Sequence, residues 1–544
     1  MRVFPAVLLA FALFVPLPAL AVDQADLVNK IEELSKQLEQ LKQQMQEIQK
    51  KEEVKEQRIT KVEKKADEAK KPSWLQIGGD YRFRLDSLSG KVHDYMQYNP
   101  FTQYGPLQTA FPGVNMYTYS APTDGFTAKN DTIMLNRFGL NVTAKATEDI
   151  TVHARMLMYK VFGGDDSSAI SSPFFSPEKS GVFDGNVSHI PEDNTLRVDR
   201  AYATWSNVFG QPVWFSVGRR PSTGGVPSNL KQNRDSGGNA GVPALMIDYA
   251  YDGMTLGVAP YIEALPGAFA KLCYGRGFDS GYRDTPMSSG LKDTDMLGIN
   301  VVPYNTDNLR VDLQYNRAFN MMSNPPIDAF GPVQANVGDI DQFGTNVMGK
   351  IDNLGPGDLN LFASAAMSKT HPSGRTYSLP FGYVDMDGSG TFTPGDMEFT
   401  GDYGLLNDGS GKTGHTGTAI YLGARYDIKA TATKIGVEYN HGSKNWIAFA
   451  PANDDLISGK LGTRGDVYEV YVIQELKQKA ISKYGKAYFR LGYQNYKFDY
   501  TGSNGWLGEP VRISDLDTMD PMITQLYAPL KNAHNIYLTF DVEF

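Results

Sequence analysis

Residues 385–396 contain a run of oxygen-bearing side chains whose spacing suits a hard metal cation. Acidic or hydroxyl groups recur at alternate positions from Asp385, a glycine follows as the sixth residue, and Asp396 is the twelfth. Proteins bind Ca²⁺ through carboxylate and carbonyl oxygens and through water. This run is the strongest local motif in the chain, and the chemistry that it predicts is cation binding.

The run resembles an EF-hand-type calcium loop. The resemblance implies that Ca²⁺ is held by the side chains of Asp385, Asp387, Ser389 and Asp396 and by the carbonyl oxygen of Thr391. The sequence departs from the motif in its serine at the fifth position, its aspartate at the twelfth, and its lack of flanking helices. The alternative is an Asp- and Gly-rich turn without a metal. In an extracellular loop, we expect the ion to order the chain, because millimolar Ca²⁺ fills weak sites.

A second group of charged residues consists of arginines on the polar faces of alternating segments. Carboxylates such as Asp80, Asp312 and Asp541 share these faces. If the faces line an aqueous pore, the charges either pair across neighbouring strands and keep the channel wet, or they give a mild preference for anions. The predicted pore-lining residues are Arg82, Arg84, Arg137, Arg155, Arg310, Arg425 and Arg490.

A basic cluster surrounds the long connection 221–243. Arg219 and Arg220 precede it, and Lys231 and Arg234 lie inside it among Gly, Ser and Asn residues. No acidic run faces the cluster in the sequence. An ordinary solvated surface loop is therefore one interpretation of this segment.

Other kinds of chemistry have little support. The chain has no G-x-S-x-G elbow, H-E-x-x-H zinc motif or P-loop, and we expect no enzymatic activity. The single cysteine, Cys273, excludes an intramolecular disulfide framework and the covalent attachment of haem through a C-x-x-C-H motif. A formal charge of -9 argues against a nucleic-acid partner.

The last ten residues predict the element that organises the others. Apolar side chains alternate with polar ones from Asn535 to Phe544, which is the period of a β-strand with one apolar face. A strand that ends the chain on phenylalanine is explained if it pairs with the first strand of a closed barrel, because closure removes the exposed edges.

The rest of the chain from Trp74 onward predicts fifteen more strands. They come in pairs, for example 132–144 with 150–161, and 244–251 with 254–263 around an Asp252-Gly253 turn. Strand 196–206 can be phased with either face inward. Eight long connections alternate with seven short ones, as in a barrel with long loops outside the cell and short turns in the periplasm. The predicted fold is all-β, a 16-stranded antiparallel transmembrane β-barrel, with 18 strands as the runner-up.

Two different segments precede the predicted barrel at 73–544. Residues 1–21 have the positive start, apolar core and small-residue cleavage site of a signal peptide. Residues 22–72 predict an α-helical coiled coil, because apolar residues recur at alternating spacings of four and three. The alternative is one amphipathic helix lying on the barrel. The heptad seam is Leu27, Ile31, Leu34, Leu38, Leu41, Met45 and Ile48.

The terminal strand, the alternation of connections and the coiled coil together resemble the Gram-negative outer-membrane porins, with some likeness to phosphate- or carboxylate-selective porins. The resemblance implies a homotrimer in outer-membrane lipid with its coiled coil in the periplasm. It also implies that the third long loop, with Arg219, Arg220, Lys231 and Arg234, forms the constriction of a channel for small hydrophilic solutes or ions. Two alternatives remain: a barrel sheath around a separate cytochrome, and a structural tether to peptidoglycan.

Overall fold

The computed structural model describes residues 32, 33, 36 and 39, and residues 74–544 apart from 110, 165–182, 184–188, 190, 239, 282–289, 325–332, 408–410, 451–454, 483–484, 519 and 521–522. The chain divides into two units, Met1–Ser73 and Trp74–Phe544. In the first unit the four described residues are helical and exposed. The predicted signal peptide and the predicted heptad seam lie outside the described residues. Among the described residues, no helix is both long and apolar enough to span a membrane.

The second unit is built from strands whose bounds follow in chain order. They are β1 (Leu75–Val92), β2 (Tyr95–Tyr98), β3 (Tyr104–Gln108), β4 (Asn115–Thr118), β5 (Ser120–Thr123), β6 (Thr127–Lys145), β7 (Ile150–Val161), β8 (Arg197–Trp205), β9 (Val213–Ser222), β10 (Tyr249–Val258), β11 (Phe269–Phe278), β12 (Thr294–Asn305), β13 (Leu309–Met322), β14 (Asn336–Leu354), β15 (Gly357–Pro372), β16 (Tyr377–Asp385), β17 (Met397–Tyr403), β18 (Thr416–Ile428), β19 (Thr433–Gly442), β20 (Gly465–Glu475), β21 (Lys486–Phe498) and β22 (Leu530–Glu543). Its helices are short: α1 (Ser228–Lys231) and the 3₁₀ turns Val208–Gly210, Lys460–Gly462 and Ile513–Asp515.

Sixteen of these strands form one closed antiparallel barrel, in the order β1-β22-β21-β20-β19-β18-β15-β14-β13-β12-β11-β10-β9-β8-β7-β6. The last strand closes the barrel on the first, with Tyr81 opposite Val542 and Leu85 opposite Leu538. The amide of Gly79 also donates to the carbonyl of Phe544 at 2.8 Å. The predicted fold class and the predicted role of the terminal strand are confirmed.

The two faces of the barrel wall differ in the way that the alternation predicts. On β22, Ile536 and Leu538 are exposed on the outside, whereas Tyr537 and Thr539 are buried on the inside. Exposed apolar side chains continue around the outer surface as a belt, which is the surface that hydrocarbon covers in a transmembrane barrel. The belt includes Leu272, Leu297, Ile299, Leu313, Phe343, Leu361, Leu422, Val437 and Leu491.

The connections divide the barrel into two ends. Short turns and both barrel termini share one end, which we call the short-turn end, and long loops share the other, which we call the long-loop end. The long loops are L1 (93–126), L2 (162–196), L3 (223–248), L4 (279–293), L5 (323–335), L6 (373–415), L7 (443–464) and L8 (499–529). Eight long and seven short connections were predicted, and this alternation is confirmed.

The predicted hairpin at Asp252-Gly253 is wrong. Both residues lie inside β10, and the predicted strand 244–251 belongs mostly to the end of L3. The strand that the prediction missed is β11, which lies in a segment assigned to a long loop, 264–295. The predicted total of sixteen strands is still correct, because the prediction divides β10 into two strands and omits β11.

Close packing between strands explains why a turn-forming dipeptide occurs here. Gly253 is opposite Gly218 on β9 and Gly275 on β11. A Cβ atom on Gly253 would lie 2.0 Å from the carbonyl oxygen of Tyr274. A glycine inside a strand often marks a place where another backbone approaches closely.

Two loops at the long-loop end build a small sheet of their own. Strands β3 and β4 of L1 and β16 and β17 of L6 form a four-stranded sheet, and β2 pairs with β5 in L1. Tyr117 of β4 stacks on Tyr383 of β16 with ring centroids 5.3 Å apart. We call the four-stranded sheet the outer sheet.

Candidate functional site

Loop L3 folds into the barrel instead of lying over its rim. Side chains of the opposite wall donate hydrogen bonds to its backbone: Arg425 to the carbonyl of Leu230 and Arg490 to the carbonyl of Lys231, each at 2.7 Å. Arg310 donates to the carbonyl of Gly237 at 3.0 Å. Three of the predicted pore-lining arginines therefore hold the inserted loop.

A buried ionic network fixes L3 and L7 to strands β19 and β20. Lys231 of L3 lies 2.7 Å from Glu469 and 3.3 Å from Asp455. Lys460 of L7 lies 2.6 Å from the same glutamate and also pairs with Glu438. All five side chains are buried, so each charge depends on its partners for compensation.

An apolar core joins L3 to L7 inside the lumen. Met246 and Ile247 of L3 are buried with Trp446 and Phe449 of L7. The backbones bond as well, because the amide of Phe449 donates to the carbonyl of Met246 at 2.7 Å and the amide of Asp248 donates to the carbonyl of Phe449 at 2.9 Å. This contact narrows the space that a sixteen-stranded barrel would otherwise leave open.

A polar cavity remains beside L3, near the short-turn end. It has a volume of about 340 Å³ and lies against β1, β6, β7, β8 and the end of β22. Its polar and charged lining includes Asp80, Arg82, Arg137, Asn141, Thr143, Arg155, His189, Arg200, Gln232, Arg234, Tyr488, Asp541 and Glu543. We call this space the arginine cavity.

Ion pairs compensate part of the charge in the arginine cavity. Arg82 pairs with Asp541, and Arg155 lies 2.7 Å from Asp80 and 3.6 Å from Asp199. Five arginines line the cavity against three acidic side chains, and the neighbouring buried Asp199 pairs with two of these arginines, Arg155 and Arg200. The lining therefore carries an excess of positive charge even though most of its arginines have partners.

A β-bulge in β8 places two charged residues of opposite sign on the inner side. Arg155 of β7 is opposite Arg200, whereas Met156 is opposite Val198, so Asp199 has no directly opposite residue. Asp199 is buried and lies 3.2 Å from the guanidinium of Arg200. The bulge explains why the sequence allows either face of this strand to point inward. The alternation of inward and outward side chains shifts by one residue at Asp199.

The other predicted lumen residues have different surroundings. Arg84 donates to Asp86 at 2.6 and 2.7 Å, and Arg137 lies 3.8 Å from Asp80. Arg220 faces inward and donates to Ser216 at 2.7 Å.

Arg219 does not belong to the constriction. It lies on the outer face of β9, and its guanidinium is 3.2 Å from the carboxylate of Asp252. Its neighbour Val217 is on the same exposed face. The prediction failed because Arg219 and Arg220 are adjacent in a strand, and adjacent strand residues face opposite sides.

Several residues of the site were missed by the sequence argument. Arg200 was overlooked because a bulge cannot be deduced from alternation alone. Lys271, which donates to the carbonyl of Gly241 at 2.6 Å, lies on the overlooked β11. Lys460 lies in L7. Its role depends on the buried Glu469, which also binds Lys231 although it is distant from L3 in the sequence.

The predicted calcium loop joins β16 to β17 in the outer sheet. One carboxylate oxygen each from Asp385, Asp387 and Asp396 lies within 4.8 Å of the others. The hydroxyl of Ser389 donates to the carbonyl of Thr391 at 2.8 Å. The five predicted ligand residues are thus gathered in one hairpin tip.

Hydrogen bonds keep one of these carboxylates charged. The hydroxyl and the backbone amide of Ser389, and the hydroxyl of Thr393, hold the pKa of Asp387 below its ordinary value. The Ser389 amide donates to Asp387 at 2.9 Å and to Asp385 at 3.1 Å. The hairpin tip therefore offers three carboxylate side chains to a hard cation.

Comparison with known families gives one match over most of the chain. The model of a family described as "Protein of unknown function (DUF3373)" matches residues 127–544. No curated protein matches the sequence.

Comparison with solved structures returns outer-membrane proteins of low similarity. One is "OmpT (in-vitro folded), an outer membrane protein Vibrio cholerae (trimer form)", at 9% identity and a TM-score of 0.36, covering 86% of this chain and 99% of that one. Another is "Salmonella typhi OmpF complex with Daunomycin", at 10% identity and a TM-score of 0.38, covering 86% and 97%.

Proposed function

We infer a function for this chain, which belongs to the family described as proteins of unknown function (DUF3373), from the geometry of its lumen. We propose an outer-membrane porin that passes small hydrophilic solutes or ions by diffusion through a narrow channel and prefers anions. The observation that supports this most directly is the arginine cavity, a hydrophilic space left between L3 and the barrel wall.

The narrowness of the proposed channel follows from L3 and L7. A sixteen-stranded barrel without inserted loops would hold a wide aqueous channel. Here the buried contact of Met246 and Ile247 with Trp446 and Phe449 occupies the middle of the lumen. We therefore propose that solutes pass along the β1, β6 and β7 side, where the arginine cavity forms the short-turn half of the path.

The occupied lumen also bears on the two alternative functions. A sheath around a separate haem protein would need the space that L3 and L7 fill, so this alternative loses support. A structural tether that binds peptidoglycan would have no path for ions at all. Conductance distinguishes the channel from the tether, and we propose no enzymatic activity for either.

We propose the outer membrane of a Gram-negative bacterium as the location, with the short-turn end and a coiled coil at 22–72 in the periplasm. The exposed apolar belt and the predicted signal peptide support this placement. We also propose self-association, since a heptad stripe two positions wide suits it better than packing on a barrel, and the resemblance to porins favours a homotrimer. Multi-angle light scattering of the detergent-extracted protein, with its coiled coil and after its removal, tests this assembly.

Neutralising the arginine cavity should reduce the preference for anions. In Arg155→Gln or Arg200→Gln, one positive charge leaves the lining. A unit charge at about 4 Å in water is worth about 1 kcal/mol, so the anion-to-cation permeability ratio should fall up to about fivefold. The measurement is the reversal potential of single channels in a planar bilayer under a salt gradient.

The matched control is Arg219→Gln, which removes the same charge from the outer face of β9. It should leave the reversal potential unchanged. If the cavity variants behave like this control, the cavity does not lie on the ion path. If the folded parent protein shows no conductance steps at all, the channel proposal fails and the tether is favoured.

We further propose that the tip between β16 and β17 binds Ca²⁺ through Asp385, Asp387, Ser389, Thr391 and Asp396. Dissociation constants of extracellular calcium modules are about 10⁻⁴ to 10⁻³ M, and we expect this range here. Asp387→Asn should weaken binding by about tenfold or more, because it removes one of three anionic ligands.

Terbium luminescence is suited to this test because Tyr383, which donates to the carbonyl of Gly390 at 3.2 Å, lies beside the tip and can sensitise the ion. Calcium should displace terbium from the parent protein. Asp402→Asn, an exposed aspartate on β17, is the control and should bind like the parent. Equal luminescence from parent and Asp387→Asn would refute the site.

A further inference from the structure

A second cavity opens at the long-loop end of the barrel. It has a volume of about 230 Å³ and lies between L8 and the edge of the outer sheet. Its walls are largely aromatic: Tyr403, Phe498, Tyr500 and Trp506 all line it. A cavity of about 150 Å³ is enough to bind benzene in another protein, so this one has room for a ring with a substituent.

The aromatic wall is held in place without a ligand. The indole nitrogen of Trp506 donates to the carbonyl of Met322 at 2.9 Å, and its ring stacks on Phe183 at 5.8 Å. The backbone of L8 bonds to the end of β17, with the amide of Gly508 donating to the carbonyl of Gly404 at 2.8 Å. A preformed wall lowers the entropy cost of binding.

A buried cation lines the same cavity. Arg464 is 1% exposed and donates to the carbonyls of Trp446, Thr501 and Gly505 at 3.2, 2.9 and 2.7 Å. No carboxylate among the described residues lies within ion-pair distance of it. A guanidinium has five N–H donors, so two remain after these three bonds.

Among the described residues, Arg464 differs from Arg84 and Arg310, two other buried arginines, in having no counter-charge. Arg84 and Arg310 each pair with an aspartate on their own strand. Burial lowers the pKa of Arg464 to about 9, so it still carries a positive charge at neutral pH. A buried charge without an opposite partner is costly, and a bound anion would reduce that cost.

A second polar group in the wall also lacks a partner. The phenolic oxygen of Tyr403 is buried and makes no hydrogen bond with any described residue. Burial raises the pKa of Tyr403, so the hydroxyl stays protonated and can donate. Buried polar groups in native structures nearly always have a partner, which can be a bound molecule.

We propose that this cavity binds a small organic anion with a flat aromatic body, whose carboxylate accepts hydrogen bonds from Arg464 and the Tyr403 hydroxyl and whose ring packs against Trp506. The site is distinct from the arginine cavity, because the two cavities share no lining residue. It would take up its ligand from the outer side of the barrel.

Direct binding to the full chain in lipid nanodiscs tests the proposal. The probes are sodium benzoate and 2-naphthoate, their neutral counterpart 2-naphthalenemethanol, and acetate, which has the charge without the ring. Isothermal titration calorimetry gives the affinity, and saturation-transfer difference NMR shows whether the ring is in contact with protein. The aromatic carboxylates should bind at least about tenfold more tightly than either partial probe, because a hydrogen bond to a charged group is worth about 1.5–3 kcal/mol.

Two variants locate the bound probe. Ala528→Phe fills the cavity with a ring from its own wall and should abolish saturable binding of 2-naphthoate. Tyr403→Phe removes only the hydroxyl and should weaken binding by about fivefold, the equivalent of one hydrogen bond. Ala480→Phe, in the exposed turn between β20 and β21, is the matched control and should bind like the parent.

Three outcomes would overturn the proposal. The first is equal affinity for 2-naphthoate and its neutral counterpart, which would remove the role of Arg464. The second is unchanged binding in Ala528→Phe, which would place the probe elsewhere. The third is no saturable binding by the parent protein up to tens of millimolar probe.

Discussion

Replacing the inserted part of L3, residues 228–242, with a short glycine–serine linker should raise the single-channel conductance severalfold. The segment blocks the lumen through its contacts with the opposite wall, and the wall itself encloses a wide channel without it. The ends are already adjacent, because the amide of Ala244 donates to the carbonyl of Val226 at 2.9 Å. A linker of about four residues can therefore close the loop as a hairpin connection does.

The matched control shortens a loop that does not enter the barrel. Residues 386–395 form the tip between β16 and β17 in the outer sheet, and the same linker can replace them. This control should keep the parent conductance. Heat-modifiable gel mobility shows that both variants are folded. A folded L3 variant with the parent conductance would show that L3 does not limit the flow of ions.

Removing the central negative charge of the ionic network should release L3 and L7. Glu469 is fully buried between Lys231 and Lys460, at 2.7 and 2.6 Å, and it accepts a hydrogen bond from Tyr537 at 2.7 Å. In Glu469→Gln two buried lysines lose their shared partner. Removing one partner of a buried ion pair costs about 3–5 kcal/mol. This cost should destabilise the inserted conformation of L3 and L7 relative to a released one.

If the loops are released, we expect larger fluctuations of the single-channel current in a planar bilayer. We also expect an added protease to cleave L3 faster. Asp352→Asn is the control on β14, where an exposed carboxylate pairs with Lys350 at 2.7 Å, and its effect should stay below about 1 kcal/mol.

A double variant separates the charge effect from a general loss of packing. Lys231→Met added to Glu469→Gln removes both members of one pair and leaves Lys460 with Glu438. It should recover part of the parent behaviour, and the recovery is the coupling energy of a double-mutant cycle. A quiet channel in Glu469→Gln, with the parent rate of cleavage, would contradict the role of the network.

Alternation of apolar and polar residues was sufficient to predict most of the barrel. It located the terminal strand, most of the strand pairs and the inward side of the seven arginines predicted to line a pore, because each depends only on a local period of two. It failed at Asp252-Gly253, where a dipeptide typical of turns lies inside a strand against Gly218 and Gly275.

The same reasoning could not find the contact between L3 and L7 that narrows the lumen. The apolar run Leu245, Met246 and Ile247 has the composition of a strand, and we assigned it to one. In the structure this run is the last part of L3. It packs against L7, which follows about two hundred residues later in the chain. Nothing local distinguishes an apolar segment that faces lipid from one that faces another loop. The partners of the arginines were equally hidden, since ion pairs across strands depend on register.

The distance in sequence between L3 and its anchors has a consequence for assembly. Lys231, Asn233 and Leu230 are bound by side chains of β18 to β21, such as Arg425, which are roughly two hundred or more residues closer to the C-terminus. Contacts of such high order form late, because the chain must first close the large loop between them. We therefore expect an assembling barrel to be most permeable just before its last strands are in place. Those strands both close the barrel wall against β1 and hold L3 inside the lumen.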